Sequence, residues 1–163
     1  MVPVQVPTTP PVVMTNPGVP AAASAVLTLI NKERTSKNLK ELVWDADLQT
    51  SAHEHNLMMQ AANTLSHQLP GEAAFGDRER AAGVNWTSAA ENIGQGAGDA
   101  TQAAVGINTL MFNETPQSLG GDGHRLNILS SSSNVIGIDV IVDTDHTDSG
   151  YNKVWLTEDF AHI

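Results

Sequence analysis

The sequence predicts an α+β domain in which helices cover a sheet, and two observations carry that prediction. The segment 134–143 alternates with period two, placing Ile136, Ile138, Val140 and Val142 on one continuously apolar face. Three other segments, over 22–37, 46–63 and 99–114, repeat their apolar residues at helical spacing instead. A strand with an apolar face needs a cover, and amphipathic helices supply one.

The elements follow in chain order. Residues 1–21 hold six of the eight prolines and no charged residue, so they read as an extended spacer, with 22–163 left as one domain. The first helix, over 22–37, places Ala22, Val26, Leu29, Ile30 and Glu33 on one stripe, and Asn38 suits a left-handed cap. Leu39, Leu42 and Trp44 return to the core. Asp45 then caps a second helix, over 46–63, whose stripe is Leu48, Ala52, His55, Met59 and Ala62. His53 and His55 stand about 200° apart on that helix and cannot share a ligand, and His55 reads as a core-edge residue. Met58 and Met59 read as packing.

Beyond this helix, Ser66 and His67 lie on a loop that Pro70-Gly71 turns. Asp77 caps a short helix over 78–82 that Gly83 closes. Glu91 stands among small residues beside Ile93, and a carboxylate in such a half-buried segment needs a partner. Asp99 opens the helix that runs to Glu114 before Pro116 stops it. A negative charge in a last helical turn opposes the helix dipole, so Glu114 is either a solvated surface residue or the partner of a nearby cationic group or metal. The run Gly120 to Leu129 then delivers His124 from a glycine-rich turn and anchors it through Ile128 and Leu129. A polar hairpin tip over 143–152 joins the strand 134–143 to a partner strand over 153–161. Asp143, Asp145 and Asp148 lack the bidentate glutamate and the spacing of a calcium loop.

Composition narrows the function. A net charge of −10 opposes nucleic acid and anionic membrane surfaces as partners. No apolar run reaches the length of a membrane span, and V-P-V-Q-V-P after Met1 has neither the basic region nor the apolar core of a signal peptide. The absence of cysteine excludes disulfides, thiolate metal sites and a cysteine nucleophile. The sequons at Asn85 and Asn113 are as many as chance supplies.

Seven stretches, taken in order, resemble the CAP superfamily of cysteine-rich secretory, antigen 5 and plant pathogenesis-related proteins. They are L-I-N-K-E-R, L-V-W-D-A-D-L, Ser66-His67, D-R-x-R-A-A-G, A-E-N-I-G, G-H-R-L-N-I-L and V-W-L-T-E-D-F-A. The form G-H-R-L-N-I-L and the lack of cysteine resemble the bacterial SCP-like extracellular members. The resemblance implies a three-layer α-β-α sandwich with a mainly antiparallel central sheet, secretion, and a spacer role for the proline-rich stretch. It also implies a cleft tetrad of His67, Glu91, Glu114 and His124, with Met111 standing where members often have tryptophan ahead of the second glutamate.

Two imidazoles on opposing loops are enough to begin a site for zinc or another divalent cation, with His67 and His124 as the metal ligands. Glu91 and Glu114 would orient the rings, and Glu91 is the candidate base. Three readings stay open at this point. One is a binding module for a small or lipid-like ligand or a cell-envelope component, with Phe75, Val84 and Trp86 as apolar flanks of the cleft. Another is a hydrolase of peptide or cell-wall material, metal-assisted or using Glu91, although no nucleophile motif is present. The last is a structural polar network with no catalysis. The weight lies against an enzyme.

Overall fold

The computed structural model describes residues 20–163. Most of the spacer expected over 1–21 lies outside the described residues. Five helices and four strands follow: α1 (Ala21–Thr35), β1 (Val43–Trp44), α2 (Ala46–Ala62), α3 (Phe75–Ala82), β2 (Ser88–Ala97), α4 (Ala100–Phe112), α5 (Gly123–Ile128), β3 (Val135–Asp148) and β4 (Tyr151–His162).

The sheet order is β1-β3-β4-β2. β4 pairs antiparallel with both β3 and β2, whereas β1 runs parallel to β3 through Val43↔Val135 and Trp44↔Ile136. The sheet is therefore mixed at one edge. β1 has two residues, too few to show any period, which is why the sequence reading places no strand there. Ser149 and Gly150, with φ of 52° and 84°, make the tight turn of the β3–β4 hairpin, so β3 runs on to Asp148 and β4 starts at Tyr151, both inside the expected tip.

Helices cover both faces of the sheet, giving three layers. Glycines mark where a helix comes close on each face. A Cβ on Gly137 would overlap the Gln49 backbone nitrogen of α2. A Cβ on Gly94 would overlap the Ile107 side chain of α4 on the other face. The α1/α4 side is one apolar cluster in which Val26, Ile30, Ile107, Ile136, Ile138, Leu156 and Phe160 meet. On the α2/α3 side the apolar contacts split into two small groups, around Leu48 with Val135 and around Met59 with Trp155. Between those groups lie His55, Asn56, Arg78, Glu79, Glu91 and Asp159, all buried.

Several helix bounds shift from the expected ones. α1 stops at Thr35; Val26, Ile30 and Glu33 are buried as expected, Ala23 and Leu27 join them while Ala22 and Leu29 stay half-buried, and Asn38 takes the left-handed conformation in the following turn. In α2 the Asp45 carboxylate accepts from the Asp47 and Leu48 amides at 3.0 and 2.9 Å, while Ala62 is exposed. α3 starts at Phe75, not after Asp77; Asp77 lies in its first turn, where a negative charge meets the positive end of the helix dipole. Asp99 caps α4 as expected, but the helix ends at Phe112 and leaves Glu114 beyond it. The expected glycine-rich loop closes into the short helix α5.

Gly137→Ala forces a Cβ against α2 backbone, which cannot yield as a side-chain tip can. Thermal denaturation should show it destabilised by about 2 kcal/mol or more. Gly106→Ala, at an exposed helical position with nothing within 4 Å, should instead stabilise by ~0.5–1 kcal/mol. Equal melting temperatures for the two variants would contradict the packing described.

Candidate functional site

The cleft lies at the β2 edge of the sheet, where the α2–α3 connection faces α5 and the loop before it. His67 comes from the α2–α3 connection, in a turn ordered by the Ser66 hydroxyl donating to the Gln68 carbonyl at 2.8 Å. Glu91 rises from β2. Glu114 follows the end of α4, and His124 is the second residue of α5. Gly120 and Gly121, with φ of 90° and 83°, turn the chain between those two. Arg125 ties α5 to the end of α4 by donating to the Phe112 carbonyl while its guanidinium lies 4.6 Å from the Phe112 ring centre.

The four expected residues form two carboxylate–imidazole pairs. Glu91 Oε1 meets His67 Nδ1 at 2.8 Å, and Glu114 Oε1 meets His124 Nδ1 at 2.5 Å. Glu114 Oε2 also accepts from the His124 amide at 3.1 Å. A carboxylate only accepts, so each Nδ1 carries the hydrogen, and in the neutral ring each Nε2 keeps a lone pair. Neither Nε2 has a partner among the described residues. His67, Glu91 and His124 line one cavity of about 330 Å³ with Gly120, Gly123 and Asn127. The histidine side chains are 54% and 34% exposed, whereas Glu91 is 1% exposed, so the rings face solvent from an anchored base.

Three residues that the sequence reading did not place in the site hold it in shape. Arg78 donates to Glu91 Oε2, and its other terminal nitrogen donates to the Ala73 and His67 carbonyls at 3.0 and 3.3 Å. Both Glu91 oxygens are thus engaged. Asn92, one residue on, donates to the His124 carbonyl at 3.3 Å and to Glu158 Oε2 at 3.1 Å. Asn127 donates to Asn92 Oδ1 at 2.9 Å, so α5 is bonded to β2 through two asparagines. Each stands inside a stretch already singled out: Arg78 in D-R-x-R, Asn92 in A-E-N-I-G and Asn127 in G-H-R-L-N-I-L.

Other expectations resolve differently. Phe75, Val84 and Trp86 do not line the cleft: Val84 packs with Leu48, Val135 and Ala161, and Trp86 packs against that group with its ring under Arg80. His55 is fully buried and pairs with Glu72 at 2.7 Å, while His53 meets Asp139 at 3.2 Å, so the two share no partner. Asp143 accepts from Trp155 Nε1, from His146 Nδ1 and from two amides, which makes it a hydrogen-bond hub of the hairpin. Among the described residues no three His, Cys, Asp or Glu side chains converge to hold a metal ion.

Behind the cleft the core holds more carboxyl groups than it can ionise. Glu79 and Asp159 are fully buried, and none of their four oxygens has a hydrogen-bond partner. Burial, and then the Glu91 charge, push Glu79 up to about 8 against the opposing pull of Arg78 and Arg80. Burial first, then the Glu91 and Glu79 charges, hold Asp159 well above the usual carboxylate range against the opposing pull of Arg78. On the other face burial pushes Glu158 up to about 8, with Glu33 adding to the shift and the Asn92 bond opposing it.

A carboxyl whose folded pKa exceeds its unfolded value stabilises the fold fully below the unfolded value and loses that contribution as pH rises through the folded one. For Glu79 and Glu158 the window runs from about 4.5 to about 8. The melting temperature should therefore rise by several degrees between about pH 8.5 and pH 5.5. The Glu79→Gln, Glu158→Gln double variant should flatten that rise and melt above the natural chain at the alkaline end. An unchanged slope in the double variant would refute the assignment.

Residues 27–160 match the family model described as the cysteine-rich secretory protein family, CAP. The Uncharacterized protein YkwD of Bacillus subtilis (strain 168) is 29% identical over 133 residues, which are 76% of this chain and 46% of that protein. Among solved structures, an extracellular protein containing a SCP domain from Bacillus anthracis aligns with a TM-score of 0.65 and 24% identity, over 87% of this chain and 40% of that one. An outer surface protein from Borrelia burgdorferi aligns with a TM-score of 0.65 and 15% identity, over 86% of this chain and 93% of that one. The chain spans less than half the length of the two Bacillus proteins.

Proposed function

Because the match covers most of its length, the chain belongs to the cysteine-rich secretory protein (CAP) family, and on that premise we propose that it is a secreted binding protein whose cleft holds a divalent cation weakly and a small ligand beside it. The observation that carries this reading is the repeated carboxylate–imidazole pairing, His67 with Glu91 and His124 with Glu114. A carboxylate behind Nδ1 fixes the ring and raises the basicity of Nε2, the arrangement that metal-ligating histidines have.

The donor set fits a borderline cation such as zinc, which favours imidazole nitrogen. His67 and His124 would hold it, and Glu91 and Glu114 would orient them. With no third His, Cys, Asp or Glu converging among the described residues, affinity stays modest and the remaining coordination positions belong to water or ligand. Such a cation would supply charge attraction for an oxygen- or nitrogen-bearing ligand in the cleft. Both oxygens of Glu91 are engaged, by His67 and Arg78, which favours an orienting role over that of a free general base. Secretion is supported by the extracellular and outer-surface descriptions of the structural neighbours.

Calorimetric titration with zinc should give saturable one-site binding at about pH 7.5, weakened at least tenfold at about pH 5.5, where protons compete for the imidazoles. The His67→Ala, His124→Ala double variant, folded by its circular dichroism, should show none. Absence of saturable heat, or heat that persists in the double variant, would overturn the metal reading.

A further inference from the structure

The sheet edge opposite the cleft carries a second polar feature, centred on Arg34. Its residue is 2% exposed, and among the described residues no carboxylate lies within ion-pair distance of it. Arg78, the comparably buried arginine, pairs with Glu72 and Glu91. The partners of Arg34 are all carbonyls. Nε donates to Lys40 at 2.9 Å, Nη1 to Ile128 and Ser130 at 2.8 Å each, and Nη2 to Ser133 at 3.4 Å.

A guanidinium has five N–H groups, so one remains without a partner and a second is held only by the long Ser133 contact. Carbonyl dipoles solvate the charge without neutralising it. Burial pulls the guanidinium pKa downward, yet arginine remains a cation at neutral pH. A buried charge without a counter-charge is costly unless an ion supplies one.

Arg34 lines a groove of about 610 Å³ bounded by the α1–β1 connection, the residues before β3 and the end of β4. Lys40, Ser131, Ser133 and His162 line it too, and their side chains make no hydrogen bond among the described residues. Glu41 is the single acid in the lining. In a chain with net charge −10, a groove holding two cations, two free hydroxyls and an imidazole against one acid stands apart from its surroundings.

We propose that this groove binds an oxyanion, the phosphate or carboxylate group of a small ligand, with Arg34 and Lys40 supplying charge and Ser131 and Ser133 donating hydroxyl hydrogen bonds. The groove is distinct from the cleft: β1 and β2 are opposite edges of the sheet, and the two linings share no residue. Arg34 also holds the Ile128 and Ser130 carbonyls, so substituting it would disturb the loop after α5 as well as the groove. The test therefore leaves it in place.

Inorganic phosphate and, separately, acetate are titrated calorimetrically into the protein at constant ionic strength and about pH 7.5. Saturable one-site binding of at least one ion is expected, with phosphate alone marking a phosphoryl ligand and acetate alone a carboxylate. Lys40→Gln should weaken it about fivefold and Glu41→Gln strengthen it about threefold, since each alters one charge near the anion. The His67→Ala, His124→Ala double variant should bind as the natural chain does. No saturable heat with either ion, affinity indifferent to both groove variants, or binding lost with the cleft histidines would overturn the proposal.

Discussion

One guanidinium, that of Arg78, faces four buried carboxyl groups on the α2/α3 side of the sheet: Glu72, Glu79, Glu91 and Asp159. Its charge cannot balance four negative ones in a region with little water, so the group divides. Glu91 and Glu72 take the ion pair, and burial raises the pKa of Glu79 and Asp159, which favours their neutral forms. The cleft depends on that division, because the same Glu91 that meets Arg78 on one oxygen holds His67 on the other.

The two helical layers carry different loads. On the α1/α4 side a continuous apolar cluster supplies the burial that a chain without disulfides needs. On the α2/α3 side the apolar contacts are interrupted, and buried polar groups occupy the gap. Such a network specifies geometry more than it adds stability, since each member must meet its partners or strand them. The edge strand β2 is where the two layers can both be reached. Glu91 and Asn92 are adjacent on it and point to opposite faces, one toward Arg78 and the other toward Glu158 and α5.

Much of the fold was legible because it rests on period. The helical stripes, the Asp45 and Asp99 caps, the left-handed residues at Asn38 and Gly83 and the β3–β4 hairpin all follow from local patterns. β1 was not legible, since two residues have no period and their pairing with β3 is long-range. β2 escaped for another reason: S-A-A-E-N-I-G-Q-G-A alternates small and polar residues, which answers to close helix approach at Gly94 and to the site more than to strand propensity. Glu91, Glu114 and His124 stood out from their local settings, but their grouping with His67 in one cleft came through resemblance, as no spacing in the chain ties His67 to Glu91 or Glu114 to His124. Arg78, Asn92 and Asn127 were missed because an arginine or an asparagine in sequence gives no sign of what it faces.

Everything proposed for the cleft requires that both histidines be held by their Nδ1 hydrogens with Nε2 free. Long-range nitrogen–proton correlation NMR on the metal-free protein reads this directly, because protonated and unprotonated ring nitrogens resonate far apart. At about pH 7.5, His67 and His124 should each show a protonated Nδ1 and an unprotonated Nε2. Nε2-protonated rings, or tautomers averaging freely at either residue, would contradict the pairing on which the cleft is built.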